Sequence, residues 1–254
     1  MKYGFVVPVY NHGSTLKEVV ENLNAYGFPI IVVDDGNDEK NKAYIAQVAE
    51  EFDSVVVVTH EKNRGKGAAM QSGILKANEM GLTHVLQIDS DGQHDAFRVK
   101  HFLELSEKHP DSVICGYPEY DASAPKKRVN GRKVANAWIH IVTLSKSIKD
   151  ALIGFRVYPV GPYMRLVKRH VYVDPRMGYD AEILVHLYWI GVPVISESVK
   201  VSYPKDGVSN FRVVRDNLHI AGSYTRLCLG MIVRIPKLLA INIRRRKNAE
   251  EFAD

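Results

Sequence analysis

The feature that most constrains the fold is an alternation of short apolar runs with longer segments of helical spacing. The runs cover residues 5–7, 30–33, 55–58, 84–88 and 112–115, and a helical pattern follows each of the first four. Their residues are largely apolar rather than alternating, which is typical of strands covered on both faces. Repeated strand–helix units of this kind predict a Rossmann-like α/β fold with a mostly parallel sheet flanked by helices.

The second half of the chain follows a less regular pattern. The elements predicted there are, in order, a basic loop over 118–133, a helix over 134–148, a strand or turn over 150–159, a helix over 180–190 and a strand over 192–201. Two amphipathic helices are expected after them, over 211–235 and 236–246. We therefore expect a main domain over residues 1–210 and a C-terminal amphipathic helical extension over 211–254.

The positive charge of the chain is concentrated near its C-terminus. The net charge is +5, yet residues 217–249 contain seven Lys and Arg residues and no acid, so the rest of the chain is slightly acidic. Basic and apolar residues mixed on helices are typical of segments that bind an anionic membrane surface. The same helices could instead pack on their own domain or on a second subunit of a homo-oligomer. No uninterrupted run of about 20 apolar residues occurs, so we expect no membrane-spanning helix.

Two carboxylates directly follow the fourth apolar run. Asp89 and Asp91 are two residues apart, so in an extended chain they can face the same cavity. Gln93 continues at the same spacing and offers a neutral oxygen. Oxygen ligands suit a hard divalent cation, which would also relieve the repulsion between the two acids. The sequence therefore predicts a site for Mg²⁺ or Mn²⁺ at Asp89, Asp91 and Gln93, with positions left open for a diphosphate.

Two further apolar runs end in polar residues at the same predicted edge of the sheet, where ligands bind in open α/β folds. Asp35 follows the second run and suits a base or a ribose, although Asp-Gly also favours a plain turn. Gly65-Lys66-Gly67 follows the third run and opens a helix, where backbone amides and the Lys66 ammonium would attract phosphate. The glycines could equally serve a tight strand–helix turn, and the Walker spacing is missing.

Taken in order, these motifs resemble those of the family 2 glycosyltransferases of the GT-A fold. The nearest likeness is to members that transfer mannose or glucose to dolichyl phosphate or polyprenyl phosphate, and it spans about residues 3–211. The segments that carry it are Pro8-Val9-Tyr10-Asn11, Asp34-Asp35-Gly36, Asn63-Arg64-Gly65-Lys66-Gly67, Asp89-Ser90-Asp91-Gly92-Gln93, Asp150 with Gly154-Phe155-Arg156, and Gly207-Val208-Ser209. The chain departs from the pattern at His12, where Glu is usual, and at Asn210, where Lys is usual.

The resemblance implies that a nucleotide-sugar donor, either GDP-mannose or a UDP-sugar, lies over the strand ends. The donor-binding residues that the motifs imply are Pro8, Tyr10, Asn11, Asp35, Lys66, Asp89, Ser90 and Asp91. Among them, Pro8, Tyr10 and Asp35 would hold the nucleoside. Asp89 and Asp91 would lie near the ribose, the diphosphate and the metal.

The resemblance also implies an inverting transfer, in which the acceptor oxygen attacks the anomeric carbon opposite the leaving nucleoside diphosphate. The metal and a cation would stabilise the charge that builds on the diphosphate, and Lys205 in the late loop is the candidate cation. A phosphate acceptor needs no base, whereas a sugar or lipid hydroxyl requires a carboxylate. Asp180 is the candidate base for a hydroxyl acceptor.

Three residues are candidates for contact with the acceptor. Arg128 and Arg132 belong to the basic loop, and their guanidinium groups suit phosphate. In the lipid-phosphate relatives this region meets the acceptor, and Glu182 matches a position that is often acidic there. The acceptor implied is membrane-associated, either a polyprenyl phosphate or a lipid or sugar hydroxyl. We therefore expect a peripheral enzyme at the cytoplasmic face of the membrane.

Two other classes of function compete with this interpretation. A nucleotidyltransferase that forms sugar nucleotides would use a similar sheet, but it requires a glycine-rich loop with Arg after the first strand, where this chain has Pro8-Val9-Tyr10-Asn11. A non-enzymatic nucleic-acid-binding protein could use the basic tail, but it requires basic residues across a whole face. Acids at the strand ends would repel a phosphate backbone, so we expect no nucleic-acid partner.

Overall fold

The strands form a sheet in which parallel pairing dominates. A computed structural model describes residues 1–90, 97–120, 126–200 and 213–251 of the chain. The strands are β1 (Tyr3–Val9), β2 (Ile30–Asp34), β3 (Val55–Thr59), β4 (His84–Gln87), β5 (Val113–Glu119), β6 (Arg156–Pro159) and β7 (Val194–Lys200). Their order across the sheet is β3-β2-β1-β4-β6-β5-β7, and β6 runs antiparallel to both of its neighbours. The predicted Rossmann-like, mostly parallel sheet is confirmed.

Helices cover the sheet, as the alternating pattern predicts. The helices in the described residues are α1 (Gly13–Asn24), α2 (Glu39–Glu51), α3 (Lys66–Glu79), α4 (Phe97–Lys108), α5 (Lys126–Thr143), α6 (Val160–Lys168), α7 (Tyr179–Trp189), α8 (Val213–Ile232) and α9 (Ile235–Glu251). Helix α5 begins inside the segment that was expected to be a basic loop, because Lys and Arg are also good helix formers. In the part of the chain that the structure describes, no helix has the length and apolar character needed to cross a bilayer.

Burial of β2 explains why its sequence is continuously apolar. Ile30 to Val33 have no exposed surface, because helices cover both faces of the sheet at this strand. Strand β3 at the edge of the sheet is only partly buried. A strand that is buried on both faces cannot alternate apolar and polar residues, so the apolar runs were a sound indicator of the parallel half of the sheet.

The antiparallel strand β6 lies between β4 and β5. Arg156 of β6 is opposite Gln87 of β4 and Cys115 of β5. Because β6 runs against β4, the segment that precedes β6 lies beside the carboxyl end of β4. Residues 150–155 therefore lie at the edge of the sheet where the predicted site residues gather.

The two C-terminal helices pack on the main domain through one face. Leu227 of α8 and Leu238 of α9 are buried in the core, and the Asn242 side chain donates to the carbonyl oxygens of Thr143 and Leu144 at the end of α5. This confirms the predicted C-terminal amphipathic helical extension. The expected domain boundary near residue 210 lies outside the described residues and stays a prediction.

Candidate active site

Lys66 lies between two carboxylates at the carboxyl end of the sheet. Its Nζ is 2.9 Å from Oδ1 of Asp89 and 3.1 Å from Oδ2 of Asp180. The Asp180 side chain is 9% exposed, whereas Lys66 and Asp89 are 23% and 26% exposed. The structure thus brings together three residues that the sequence assigned separately, as donor ligand, metal ligand and base. We refer to Lys66, Asp89 and Asp180 as the charged cluster.

Each member of the charged cluster stands at the end of a secondary-structure element. Lys66 is the first residue of α3, Asp89 follows β4, and Asp180 lies in the first turn of α7. Gly154, just before β6, supplies the room for them. A Cβ atom at Gly154 would lie 2.7 Å from both Asp89 Oδ2 and Lys66 Nζ. The absence of a side chain at this position is therefore a condition for the observed geometry.

The electrostatics of the cluster favour a charged lysine. Burial opposes the positive charge on Lys66, but the carboxylates of Asp180 and Asp89 outweigh it, so the pKa of Lys66 is raised. Two acids that share one ammonium group are held together at a distance where they would otherwise repel each other. The cluster therefore depends on the cation between its two carboxylates.

A buried hydrogen-bond network supports Asp180 from behind. Gln87 Nε2 donates to Asp180 Oδ1, and the Tyr158 hydroxyl donates to Gln87 Oε1. The fully buried Arg156 donates from Nη1 to the Asp180 carbonyl oxygen at 2.5 Å and to the Tyr158 hydroxyl. Burial also raises the pKa of Tyr158, which keeps its hydroxyl a hydrogen-bond donor. This network fixes the position of the Asp180 carboxylate against β4 and β6.

This network was not predicted from the sequence, although Arg156 belongs to one of the motifs quoted above. Gln87 and Tyr158 are polar residues within apolar runs, and such residues are buried only when they have partners. That signal marks them as members of a polar core. It does not reveal the partner, because Asp180 is remote from both in the sequence.

Asp35 is held entirely within the protein. Its carboxylate accepts hydrogen bonds from the backbone amides of Arg64 and Gly65, at 2.9 and 2.8 Å, and from the Asn63 side chain. The His60 ring also lies 2.7 Å from Oδ1. With only 2% of its surface exposed, Asp35 fixes the loop that leads into α3. Both carboxylate oxygens of Asp35 have partners inside the chain. Its expected contact with a nucleoside stays a prediction.

The glycine-rich turn before α3 packs tightly against neighbouring residues, as the alternative of a tight strand–helix turn predicts, and its role as a phosphate cradle stays a prediction. Gly65 has φ +100°, a conformation that side chains rarely adopt, and its amide donates to Asp35. The Ala68 amide donates to the Pro175 carbonyl oxygen at 2.9 Å. Both amides have partners inside the chain, and the partner of the Ala68 amide belongs to residues 174–176, which lie directly against the start of α3. The Lys66 side chain contacts Asp89 and Asp180.

The residues after β1 form the neighbouring wall. Pro8 and Tyr10 are partly buried, and Asn11 is exposed with φ +60°. The Asn11 amide donates to the Asn37 side chain at 2.7 Å, which ties the end of β1 to the turn after β2. Ser90 is buried, and its carbonyl oxygen accepts from Thr15. These residues lie at the same edge of the sheet as the charged cluster, so they could contact one ligand. Their role in binding the donor stays a prediction.

Glu182 is buried beneath Arg226 of α8. Its side chain is 1% exposed, and Oε1 accepts from Arg226 Nη2 at 2.7 Å while Oε2 accepts from the Asp174 amide at 2.6 Å. Burial raises the pKa of Glu182, while the Asp174 amide and Arg226 oppose that rise. This geometry gives Glu182 a positioning role between α7, α8 and residues 174–176. A direct contact between Glu182 and an acceptor stays a prediction.

We expect Arg226→Ala to destabilise the protein by about 2–3 kcal/mol near neutral pH, because it leaves a buried carboxylate unpaired. Without Arg226 the pKa of Glu182 is higher still, so the folded state binds a proton at a pH where the unfolded chain does not. Stability then falls as the pH rises above the unfolded pKa of about 4.5, and the loss is larger at about pH 8 than at about pH 5. Urea unfolding at both pH values measures this difference. The double variant Arg226→Ala/Glu182→Gln should recover most of the stability, and equal losses at both pH values would contradict the assignment.

The acceptor candidates in α5 are only partly described. Arg132 Nη1 lies 3.3 Å from both carboxylate oxygens of the buried Asp150. Asp150 Oδ1 also accepts from the amides of Leu152 and Ile153, so Asp150 orders the segment that leads to Gly154. The Arg128 side chain lies outside the described residues. Arg132 is thereby fixed next to the segment that borders the charged cluster.

Three predicted site residues, Asp91, Gln93 and Lys205, lie outside the described residues. Asp89 is therefore the described member of the expected metal site. Its carboxylate is partly exposed at the sheet edge, and carboxylate oxygen is the donor that Mg²⁺ and Mn²⁺ prefer. Among the residues that the structure describes, no group of three or more His, Cys, Asp or Glu residues is arranged to hold a metal. The carboxylate of Asp89 suits the expected ion in its chemistry, while Lys66 Nζ lies 2.9 and 3.1 Å from its two oxygens. The metal site at Asp89, Asp91 and Gln93 stays a prediction.

A comparison of the sequence with known proteins agrees with the family that the motifs resemble. The model of the family described as Glycosyl transferase family 2 matches residues 5–174. Dolichyl-phosphate beta-glucosyltransferase ALG5D of Trichomonas vaginalis is 26% identical over 204 residues, which cover 71% of this chain and 60% of that protein. UDP-N-acetylglucosamine--dolichyl-phosphate N-acetylglucosaminyltransferase of Methanococcus voltae is 32% identical over 169 residues, covering 60% of this chain and 67% of that protein. The chain spans about three fifths of the length of the curated glucosyltransferases that it matches.

A solved structure shares the fold at low sequence identity. Glucosyl-3-phosphoglycerate synthase from Mycobacterium tuberculosis, in complex with Mn²⁺, UDP-glucose and phosphoglyceric acid, superposes with a TM-score of 0.68. The identity is 13%, and the match covers 89% of this chain and 79% of the other. This likeness confirms the predicted GT-A fold.

Proposed function

Because the chain belongs to glycosyl transferase family 2, we propose that it transfers a sugar from a nucleotide-sugar donor to a polyprenyl phosphate of the dolichyl phosphate type. Two similar proteins are named as transferases for dolichyl phosphate, and these names support this class of acceptor. The donor is a UDP-sugar or GDP-mannose. The reaction inverts the configuration at the anomeric carbon, with Mg²⁺ or Mn²⁺ as cofactor.

The charged cluster is the observation that carries this proposal. Its members lie at the carboxyl end of the strands, where ligands bind in open α/β sheets. Asp89 would hold the cation together with Asp91 and Gln93, and the cation would neutralise charge on the diphosphate when bound. Lys66 adds a fixed positive charge 2.9 Å from Asp89. Positive charge fixed beside a leaving diphosphate stabilises the charge that develops on it in the transition state.

The surroundings of Asp180, the candidate base, and of the nearby acid Glu182 favour a phosphate acceptor over a hydroxyl acceptor. Asp180 has partners on both oxygens, Gln87 on one and Lys66 on the other. Glu182 is buried beneath Arg226. A hydroxyl acceptor needs a carboxylate that can take its proton, whereas a phosphate oxygen is already anionic at neutral pH. The arrangement therefore suits an acceptor that brings its own negative charge, with Arg128 and Arg132 as its candidate ligands.

A transfer assay with matched acceptors tests this proposal. Purified full-length chain is incubated with labelled UDP-glucose, UDP-N-acetylglucosamine or GDP-mannose, and with either a polyprenyl phosphate or the polyprenol of equal chain length. We expect a labelled lipid product with one donor, with the phosphate alone, and only when Mg²⁺ or Mn²⁺ is supplied. Equal transfer to the polyprenol would contradict the choice of acceptor.

In the same assay we expect Asp89→Asn to reduce transfer by a factor on the order of 100 or more, because a ligand of the cation loses its charge. Asp53→Asn is the matched control, since Asp53 is exposed in the turn before β3, at the opposite end of the strands. Thermal unfolding of both variants checks that the fold is retained. Turnover of Asp89→Asn at the level of the control would refute the metal role of Asp89.

The proposed location is the cytoplasmic face of the membrane, and the C-terminal extension supports binding to an anionic membrane surface. Helix α9 uses Leu238 and Asn242 to pack on the domain, and it exposes the basic residues Lys237, Arg244 and Lys247. Apolar residues are also exposed on α8, on α9 and between them, and they are Leu229, Ile232, Val233, Ile235, Leu239 and Ile243. Each basic residue near an anionic surface contributes about 1 kcal/mol. A lipid-linked acceptor would be reached from such a position.

A further inference from the structure

A cavity of about 680 Å³ lies far from the charged cluster, between the end of α5 and α9. Residues of α5, the loop after it, α7 and α9 contribute to its walls. They are His140, Ile141, Leu144, Ser145, Lys146, Ser147, Tyr188, Asn242 and Arg245. Asp180 begins and Tyr188 nearly ends helix α7, so the length of that helix separates the cavity from the cluster by about 12 Å. The reaction proposed above uses none of these residues.

The cavity is cationic. Lys146 is exposed in the loop, and no acid among the described residues forms an ion pair with it or with Arg245. The Arg245 guanidinium lies 4.0 Å from the centre of the Tyr188 ring and donates to the Val192 carbonyl oxygen at 2.7 Å. Burial lowers the pKa of Arg245, with Tyr188 opposing that effect. Two cations without an acidic partner, beside the hydroxyls of Ser145 and Ser147, suit a phosphate group.

Hydrogen bonds of Asn242 fix the residues that form the walls of the cavity. The Asn242 side chain donates to the carbonyl oxygens of Thr143 and Leu144, at 3.2 and 2.9 Å, and accepts from the Tyr188 hydroxyl. Leu144 has φ +51°, the left-handed region that costs a residue with a side chain about 1 kcal/mol. The hydrogen bond from Asn242 holds this conformation. The binding groups are therefore positioned before any ligand arrives.

The rim of the cavity is apolar and leads onto an apolar stripe. Ile141 and Leu144 at the rim are 47% and 36% exposed. Val134 and Trp138, at 60% and 42%, continue the exposed line along α5 at helical spacing. These apolar side chains would add no binding energy for a free inorganic anion. A phosphate that carries acyl chains would use both the cations and the stripe.

We propose that this cavity binds the phosphate of an anionic phospholipid, with its acyl chains along Ile141, Trp138 and Val134 of α5. The site is distinct from the one that binds the acceptor, and it does not depend on the glycosyl transfer proposed above. It orients the chain on the membrane through a specific pocket, in addition to the general attraction of the basic tail. The α5 stripe then enters the interfacial layer of the lipid.

Binding to vesicles of phosphatidylcholine, with and without phosphatidylserine, tests the site by sedimentation of the full chain. We expect Lys146→Glu to weaken binding to the vesicles with phosphatidylserine about tenfold, since one attraction is lost and one repulsion is added. Lys168→Glu is the matched control, because Lys168 is an exposed lysine at the end of α6, outside the cavity. A larger loss of binding for Lys146→Glu than for Lys168→Glu supports the site, whereas equal losses, or a larger loss for Lys168→Glu, overturn it.

A second measurement reports the position of α5 directly. Trp138 and Trp189 are the two tryptophans of the chain, so Trp189→Phe leaves Trp138 as the single fluorophore. We expect its emission to shift to shorter wavelength on the phosphatidylserine vesicles, and to be quenched by brominated acyl chains. An unchanged spectrum on bound protein would overturn the proposal.

Soluble competitors distinguish the source of the phosphate. Inorganic phosphate and glycerol 3-phosphate, added at millimolar concentration, should leave vesicle binding unchanged, because they lack acyl chains. Displacement of the protein by either compound would make the cavity a site for a free phosphate and overturn the lipid assignment. Transfer activity of Lys146→Glu towards detergent-solubilised acceptor should equal that of the parent, so a failure of this site is distinguishable from a failure of the proposed reaction.

Discussion

Lys66→Met is expected to lose transfer activity by a factor on the order of 100 or more and to be destabilised by about 2–4 kcal/mol at neutral pH. The substitution removes the ammonium group that lies about 3 Å from both Asp89 and Asp180. The two carboxylates are then left facing each other in a partly buried site. The repulsion between them should open the cluster, because no other described cation lies between them.

The pH dependence of this variant follows from the same charges. In the parent the raised pKa of Lys66 means that the stabilisation from the ion pairs is complete below the unfolded pKa of about 10.5 and is lost as the pH rises above it. In Lys66→Met, protonation of one carboxylate relieves the repulsion, so the destabilisation should be smaller at about pH 5 than at about pH 8. Urea unfolding between about pH 5 and pH 8 measures the effect in the variant, and urea unfolding above about pH 10.5 measures the loss in the parent.

Two further variants make the Lys66 prediction specific. Lys76→Met is the matched control, because Lys76 lies on the same helix and forms an exposed pair with Glu79 at 3.3 Å. It should change stability by less than about 1 kcal/mol and leave activity intact. Lys66→Met/Asp180→Asn should recover stability but not activity. Parent-like behaviour of Lys66→Met in both assays would show that the cluster does not act as described.

Gly154→Ala is expected to reduce transfer by about 100-fold while costing only about 1–3 kcal/mol of stability. The added methyl would lie 2.7 Å from Asp89 Oδ2 and from Lys66 Nζ, closer than real contacts allow. The cluster must therefore shift, and displacements of about 1 Å at a reacting centre are enough for losses of this size. Steady-state transfer rates and urea unfolding separate the two effects.

Gly222→Ala provides the comparison for Gly154→Ala. Gly222 lies within α8, and a Cβ atom there would meet only Arg226 Nη1, at an ordinary 3.5 Å. Alanine also has a better helix propensity than glycine by about 1 kcal/mol, so stability should be unchanged or higher. If both alanine variants retained parent activity, the room at Gly154 would have no bearing on the reaction.

The parallel half of the sheet was accessible from the sequence, whereas the antiparallel strand was not. Strands β1, β2 and β4 are largely apolar runs because they are buried on both faces of the sheet, and such burial disfavours polar residues in the sequence of a strand. Strand β6 has four residues, and its position is set by pairing with β4 and β5. Pairing between distant segments leaves no local pattern, so residues 150–159 could only be predicted as a strand or a turn.

The sequence likewise indicated where the candidate-site residues lie, but it did not indicate which residues they contact. Asp35, Lys66 and Asp89 were expected at one edge of the sheet, and the structure brings them to that edge. Their partners were not foreseen: Asp35 is engaged by Arg64 and Gly65, and Lys66 by Asp180. A residue type indicates what chemistry a side chain can perform, but only the fold decides which neighbour satisfies it.

The reversed direction of β6 separates two sides of the edge of the sheet that carries the charged cluster. Segments that trail β1, β2 and β4 form one side, whereas the segment that leads into β6, residues 150–155, forms the other. Insertions between α5 and β6 would therefore reshape one side and leave the alignment of the parallel strands untouched. We expect chimaeras that exchange this connection between relatives to fold, and the two sides of the edge to diversify independently during evolution.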